Sequence, residues 1–208
     1  MARESSADVL DMVRHARSDP RVWEFVQSHP WPASLSARRA LAQSRCDDVA
    51  WAVLGLAQSL LGNHQYAVYA YRHARQLAPD NPWYAHNLGH LLDIAFDDPS
   101  GATPHLAYAY ETLCDSAEPT DTPEMGDRRE VVTSYAHALW RSGRLDEARQ
   151  LMLPLVRGQA TRDEHDLYAA ILEQHERIVE AHLNSLDLTE AVSPGVATRR
   201  IVRRRSTQ

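Results

Sequence analysis

Lysine is missing from this chain: its 22 basic residues are all arginine, set against 28 acidic ones. That choice reads as the coding bias of a GC-rich bacterial genome, and it leaves a surface suited to bidentate pairing with carboxylates. Cysteine is scarce. Cys46 and Cys114 have no ligand spacing, so neither a disulfide framework nor a paired-cysteine zinc site is expected, and a cytoplasmic protein with free thiols is. Eight glycines and few β-branched runs argue against an all-β fold. No apolar stretch is long enough to span a bilayer, and the first eight residues lack the charged-then-apolar pattern of a secretory signal. Chemistry-bearing motifs are lacking too: there is no phosphate-cradling glycine loop, no zinc-binding cysteine pair and no nucleophile elbow. A protein that is not an enzyme and carries no cofactor is expected.

What the chain does have is a spacing. Trp51, Leu54, Gly55, Gln58 and Leu61 recur at three- and four-residue intervals, which places Trp51, Leu54 and Leu61 on one helical stripe. Gly55 interrupts that stripe at a cost of roughly 1 kcal/mol relative to Ala, which implies a close helix crossing there. Gly62 and Asn63 break the chain, after which Ala67, Tyr71 and Ala74 form the facing stripe of a second helix. Pro79 to Pro82 closes the hairpin, with Asn81 as N-cap and Pro82 as the first residue of the next helix. In this order Trp51, Leu54, Gly55, Gly62, Ala67, Tyr71, Ala74 and Pro79 resemble one tetratricopeptide repeat (TPR), whose period is about 34 residues. The resemblance implies an all-α solenoid of about three stacked hairpins, and a scaffold or adaptor that binds other proteins.

One period later, Ala85, Leu88 and Gly89 stand where Trp51, Leu54 and Gly55 did. The second helix of that unit is expected late: Asp97 to Gly101 lengthens the turn, Thr103 and Pro104 restart the helix, and Leu106, Tyr110 and Leu113 form its stripe. A third unit is read from Tyr135, Ala136, Leu139, Gly143, Ala148 and Met152, with Pro154 expected to kink or end its second helix near residue 153. The organisation expected is an N-terminal cap or degenerate repeat over 1–46, repeats within 47–158 (about 48–81, 82–119 and 129–158), a capping helix over 159–191 and an Arg-rich tail over 192–208. Within the N-terminal part, helices are read at Ala7 to His15, from Pro20, and from Ser34. Thr161 and Glu164 have capping-box spacing at the start of the last helix, and flanking helices of this kind cover the open ends of a solenoid.

Charge is divided unevenly. Setting aside Arg199, Arg200, Arg203, Arg204 and Arg205 from a total of −6 leaves −11 for residues 1–198. The tail has too few apolar residues to offset its ordering entropy and reads as disordered. It either contacts an anionic partner, nucleic acid included, or merely solubilises the chain or folds back on the acidic segment Asp115 to Glu130. Without interleaved aromatics, the plainer reading is the stronger one.

In the repeat family the first helix of each pair lines the concave groove, and this assigns candidate contacts. Ala52, Leu56 and Ser59 align with His86, His90 and Asp93 in the second repeat and with Thr133, His137 and Trp140 in the third. Asn87 and Arg141 lie beside this strip and suit a peptide backbone or carboxylate. The peptide- or partner-binding set is therefore Leu56, His86, Asn87, His90, Asp93, His137, Trp140 and Arg141. Some members of the family clamp a C-terminal carboxylate with Lys and Asn. Asn87 matches one such Asn, but Ala52, Leu56, Glu130 and Ser134 depart from the pattern, so an extended or helical peptide with an apolar anchor fits better. His86 and His90, four apart on one helix, could join Asp93 and His137 around a divalent ion, although the Glu of a metalloprotease motif is absent and eleven histidines make a chance pair easy. A histidine pair facing solvent or peptide is the simpler account. Beside the adaptor reading stand two others: a small cytoplasmic chaperone resembling type III secretion translocator chaperones, and a structural subunit that self-assembles into a homo-oligomer.

Overall fold

The computed structural model describes the backbone of residues 20–115 and 124–192 and the side chains of 23–113 and 128–183. The helix read at Ala7 to His15, the Arg-rich tail and most of the acidic segment after Asp115 lie outside them. The described residues form nine helices and no strand: α1 (Pro20–Ser28), α2 (Pro30–Gln43), α3 (Asp48–Leu60), α4 (His64–Leu77), α5 (Pro82–Phe96), α6 (Pro99–Asp115), α7 (Glu124–Arg141), α8 (Leu145–Arg157) and α9 (Arg162–Val192). This is an all-α solenoid of stacked helical hairpins.

Local chemistry sets the helix starts. Asp47 accepts the Ala50 N–H at the head of α3 and Asn81 accepts the Trp83 N–H at the head of α5, each satisfying a donor that has no partner within the helix. Thr161 and Glu164 close a capping box on α9: the Thr161 N–H donates to the Glu164 carboxylate at 2.6 Å, and the Glu164 N–H to the Thr161 hydroxyl at 3.3 Å. Gly62 and Gly143, at φ 77° and 80°, turn the chain between α3 and α4 and between α7 and α8.

Three expectations about prolines need correction. The second helix of the middle hairpin does not restart at Thr103; α6 begins at Pro99. Asp98 accepts the Gly101 N–H at 2.8 Å as its cap, and Pro99 needs no donor in the first turn. Pro104 then sits inside α6, forfeiting only the bond to Ser100, whose surroundings are open to water. Pro154 likewise does not end α8, which runs to Arg157. The carbonyl it leaves unbonded belongs to exposed Gln150 in the last turns. The helix read from Ser34 starts earlier, with Pro30 and Pro32 in its first turn.

Each helix packs on the next. The close crossing implied by Gly55 is present: a Cβ there would lie 2.8 Å from the Tyr71 ring, so only glycine lets α3 and α4 meet this way. Gly89 does the same for α5 and α6, where a Cβ would lie 2.7 Å from Leu106 Cγ. The core follows the hairpin stripes: buried Trp51 and Leu54 cluster with Tyr84, Tyr71 with Leu88, and Leu139 and Met152 with Ile171 of α9.

The stack curves. Successive first helices touch, α3 with α5, α5 with α7 and α7 with α9, whereas no Cα of α4 comes within 8 Å of α6 and none of α6 within 8 Å of α8. First helices therefore line the inner face, and second helices splay apart on the outer one.

Candidate partner-binding face

The inner face is laced by polar bonds between neighbouring first helices. Tyr84 of α5 donates its hydroxyl to Asp48 of α3 at 2.8 Å. Between α5 and α7 the hub is Asp93, whose side chain is 2 % exposed. One carboxylate oxygen accepts His137 Nδ1–H at 2.6 Å; the other, together with the Asp93 main-chain carbonyl, accepts Arg141 Nη1 at 2.6 Å each. Arg141 also reaches the Asp97 carboxylate. Asp97 is the α5 C-cap at φ 55°, in the left-handed region, and the Asp93 carbonyl is one of the last four of that helix. Arg141 thus both neutralises a buried acid and caps a helix end whose carbonyls lack partners. Between α7 and α9, Arg129 grips Glu164 with two guanidinium nitrogens and also donates to the Gln159 carbonyl.

The strip read from sequence as His86, His90 and Asp93 does form one line on α5, but it is turned towards α7. His86 is 2 % exposed, with Nε2 3.1 Å from the Ser134 hydroxyl. His90 is exposed, its Nδ1 3.4 Å from the same hydroxyl and its ring stacked 6.0 Å from that of His86. Burial, reinforced by the His90 charge and opposed by an Asn87 hydrogen bond, lowers the His86 pKa to about 4. His90 is lowered too, although one side of its ring is open to water: the protein packed around the rest of it is the first cause, with Asp93 opposing and His137 adding. His86 is therefore a neutral imidazole at neutral pH.

Of the other candidates, Asn87 is half-buried, and Trp140 is half-buried with its ring centre 5.6 Å from that of His137 in an edge-to-face arrangement. The Trp140 indole N–H has no acceptor among the described residues. Leu56 packs against two core clusters, so most of its surface is already spent inside the hairpin stack. Although His86, His90, Asp93 and His137 stand together, both Asp93 oxygens are taken, and among the described residues no group of three or more His, Cys, Asp or Glu side chains has metal-binding geometry. The Arg199 to Arg205 cluster lies outside the described residues.

Three features of this face escaped the sequence. Ser134, which bridges two histidines, lies 48 and 44 positions from them. Arg129 and Glu164 are 35 apart, with only the capping-box role of Glu164 visible from spacing. Leu60 and Ile94, equivalent positions of the first two repeats by the family's period of about 34, are both exposed, Ile94 by 56 %. The repeat offset could have found that pair.

No family model matches the sequence, and no curated protein does either. Solved structures are similar in fold. A thermophilic TPR protein of Thermus thermophilus superposes with a TM-score of 0.53 at 18 % identity, covering 80 % of this chain and 88 % of that one. A double mutant of MamA RS-1 gives a TM-score of 0.52 at 13 % identity, covering 85 % and 98 %. The chain has a TPR-like fold. Among the described residues no helix is long and apolar enough to cross a membrane.

Proposed function

We propose that this chain is a non-enzymatic interaction scaffold that holds a peptide or protein segment against the inner face of α3, α5 and α7. The observation that carries the reading is the lacing of successive first helices through Tyr84–Asp48, Asp93–His137–Arg141 and Arg129–Glu164. A face fixed in this way loses little conformational entropy when a partner docks, so more of the contact energy appears as affinity. Within the proposed contact set, His86, Asp93, His137 and Arg141 act as the frame. His90, Asn87 and Trp140 meet the partner, with exposed Leu60 and Ile94 offering apolar anchors at one edge. The half-buried Trp140 ring offers the partner an aromatic surface, while its indole nitrogen stays inside the stack. Two cysteines without ligand spacing, Cys46 exposed and free, support action in the reducing cytoplasm.

Affinity capture comparing the wild type with His90→Glu/Trp140→Ala tests this, both proteins first checked for equal helicity. The double variant is expected to lose partners that the wild type retains specifically; if it keeps all of them, the inner face is not the binding surface. A second reading, self-assembly, is favoured by Ile178, Val179 and Leu183, exposed on α9. Light scattering across a concentration series tests it: a concentration-independent monomer mass removes that reading.

A further inference from the structure

The outer face carries a second polar constellation that the scaffold reading leaves unused. Where α4 and α6 splay, a cleft of about 550 Å³ opens, floored by Leu88 of α5. Its walls bring together Arg72 and Arg75 of α4, Asp80 of the following turn, and His105 and Tyr108 of α6. We propose that this cleft is an oxyanion site in which Arg72, Arg75 and His105 hold a phosphate or carboxylate group.

The arginines are arranged for an external anion rather than an internal one. Neither forms an ion pair with a carboxylate among the described residues, although most other described arginines of the second half of the chain do. Arg72 is exposed and makes no bond of its own among the described residues. Arg75 is half-buried and held from two sides: its guanidinium carbon lies 5.3 Å from the centre of the Tyr108 ring, and Nη1 donates to His105 Nδ1. Tyr108 is itself fixed by donating its hydroxyl to the Pro79 carbonyl at 3.0 Å. Because His105 Nδ1 accepts from Arg75, a neutral His105 carries its proton on Nε2 and presents a further N–H donor. Two guanidinium groups and an imidazole N–H are the donor set that oxyanions take, and Arg supplies it with fixed geometry. Asp80 lies on the rim without pairing to either arginine, so it trims the field without filling the site.

The charges leave a signature in His105. Burial first, then the Arg75 and Arg72 charges, hold its pKa below the ordinary imidazole value. Asp80 and Tyr108 are the other titratable groups of the cleft. A bound anion offsets the two arginines, so its arrival raises the His105 pKa towards the ordinary value.

The test uses the full chain and the ring signals of His105 by NMR, at constant ionic strength in chloride. Inorganic phosphate is titrated in one arm and acetate in the other. A saturable shift of His105, with its titration midpoint moved upward, is expected with at least one of the two, and the anion that saturates at the lower concentration names the chemistry. Arg72→Gln removes a side chain with no internal bond, so the fold is retained, and saturation should weaken about ten-fold or more, the equivalent of one charge-assisted contact. No saturation with either anion, or the same saturation in Arg72→Gln, overturns the proposal. Arg75→Gln, checked by far-UV circular dichroism, is the companion variant and should abolish the response.

Discussion

Asp93→Ala removes the hub that joins α5 to α7, and the structure sets the size of the effect. The Asp93 side chain is 2 % exposed and accepts two charge-assisted bonds, one from His137 and one from Arg141. Breaking a buried pair by removing one partner costs roughly 3–5 kcal/mol when the remaining charge stays buried. Here the remaining charge is Arg141, whose side chain is 25 % exposed and keeps its bond to exposed Asp97, so it can recover hydration. The lower end follows, about 3 kcal/mol. With a urea dependence of about 1–3 kcal/mol per molar, the unfolding midpoint should fall by more than about 1 M. Arg141→Ala should be at least as damaging, since it leaves the buried carboxylate with His137 alone and uncaps the end of α5. The double variant should cost less than the two singles together, because each has already removed the other's partner. Equilibrium urea unfolding followed by far-UV circular dichroism measures all three. A loss under about 1 kcal/mol for Asp93→Ala, the value of an exposed ion pair, with additive singles, would refute the argument that Asp93 is a buried hub.

Three other outcomes are expected. Gly89→Ala gains about 1 kcal/mol of helix propensity but places a Cβ 2.7 Å from Leu106 Cγ and 3.1 Å from the Ala102 carbonyl oxygen. Overpacking costs about 1–3 kcal/mol, so the variant should have a lower thermal midpoint, and a higher one would contradict the close crossing. His86 has a folded pKa lowered to about 4. The unfolded chain then binds the extra proton first, and stability should rise with pH between about 4 and the unperturbed value of about 6.5, by roughly 3 kcal/mol for this one group. His86→Gln should flatten the slope in that window; an unchanged slope would assign it elsewhere. Glu164 has its folded pKa lowered to about 2, by the Arg129 hydrogen bond first and by Thr161 next. Its contribution is present above the unfolded value of roughly 4.3 and is lost as pH falls towards 2, so Glu164→Gln should lower stability at neutral pH and shrink the acid-side loss. Acid titrations of the two proteins that run parallel would exclude the Arg129–Glu164 bond as its source.

Helix identity was readable because a hairpin stripe is local: Trp51, Gly55 and Tyr71 lie within two consecutive helices, and the glycine needed at their crossing stands out against helix propensity. The starts and stops at proline were read less well. Pro104 and Pro154 break the rule only where the carbonyl they abandon faces water, a tertiary circumstance that no spacing contains. The inner face divides the same way. Spacing along α5 puts His86, His90 and Asp93 on one line, but periodicity says which side a residue faces and not what meets it there. What meets it is Ser134, His137 and Arg141, more than forty positions on. Buried Asp93 needed a partner, and a charged residue on a strip between two helices is itself a sign that the neighbouring helix carries the opposite charge.

The two faces differ in how adjacent repeats are joined, and that difference bears on where each can adapt. On the inner side, the link from α5 to α7 runs through a carboxylate that is almost wholly buried, and moving either helix leaves Asp93 short of partners in a place that water does not reach. On the outer side, second helices are bridged by arginines laid over tyrosines: Arg38 sits 5.5 Å from the Tyr66 ring across α2 and α4, and Arg75 takes the same role with Tyr108 across α4 and α6. Such contacts contribute about 0.5–1 kcal/mol at exposed sites and tolerate sliding. A change in curvature is therefore cheaper when the outer clefts open or close than when the inner first helices shift. An anion held by Arg72, Arg75 and His105 would add charge-assisted bonds across one such cleft and resist its opening. Because Gly89 joins α5 closely to α6, a fixed α6 also fixes the helix that carries His90 and Ile94. The outer cleft and the inner face thus share α5 as a common wall.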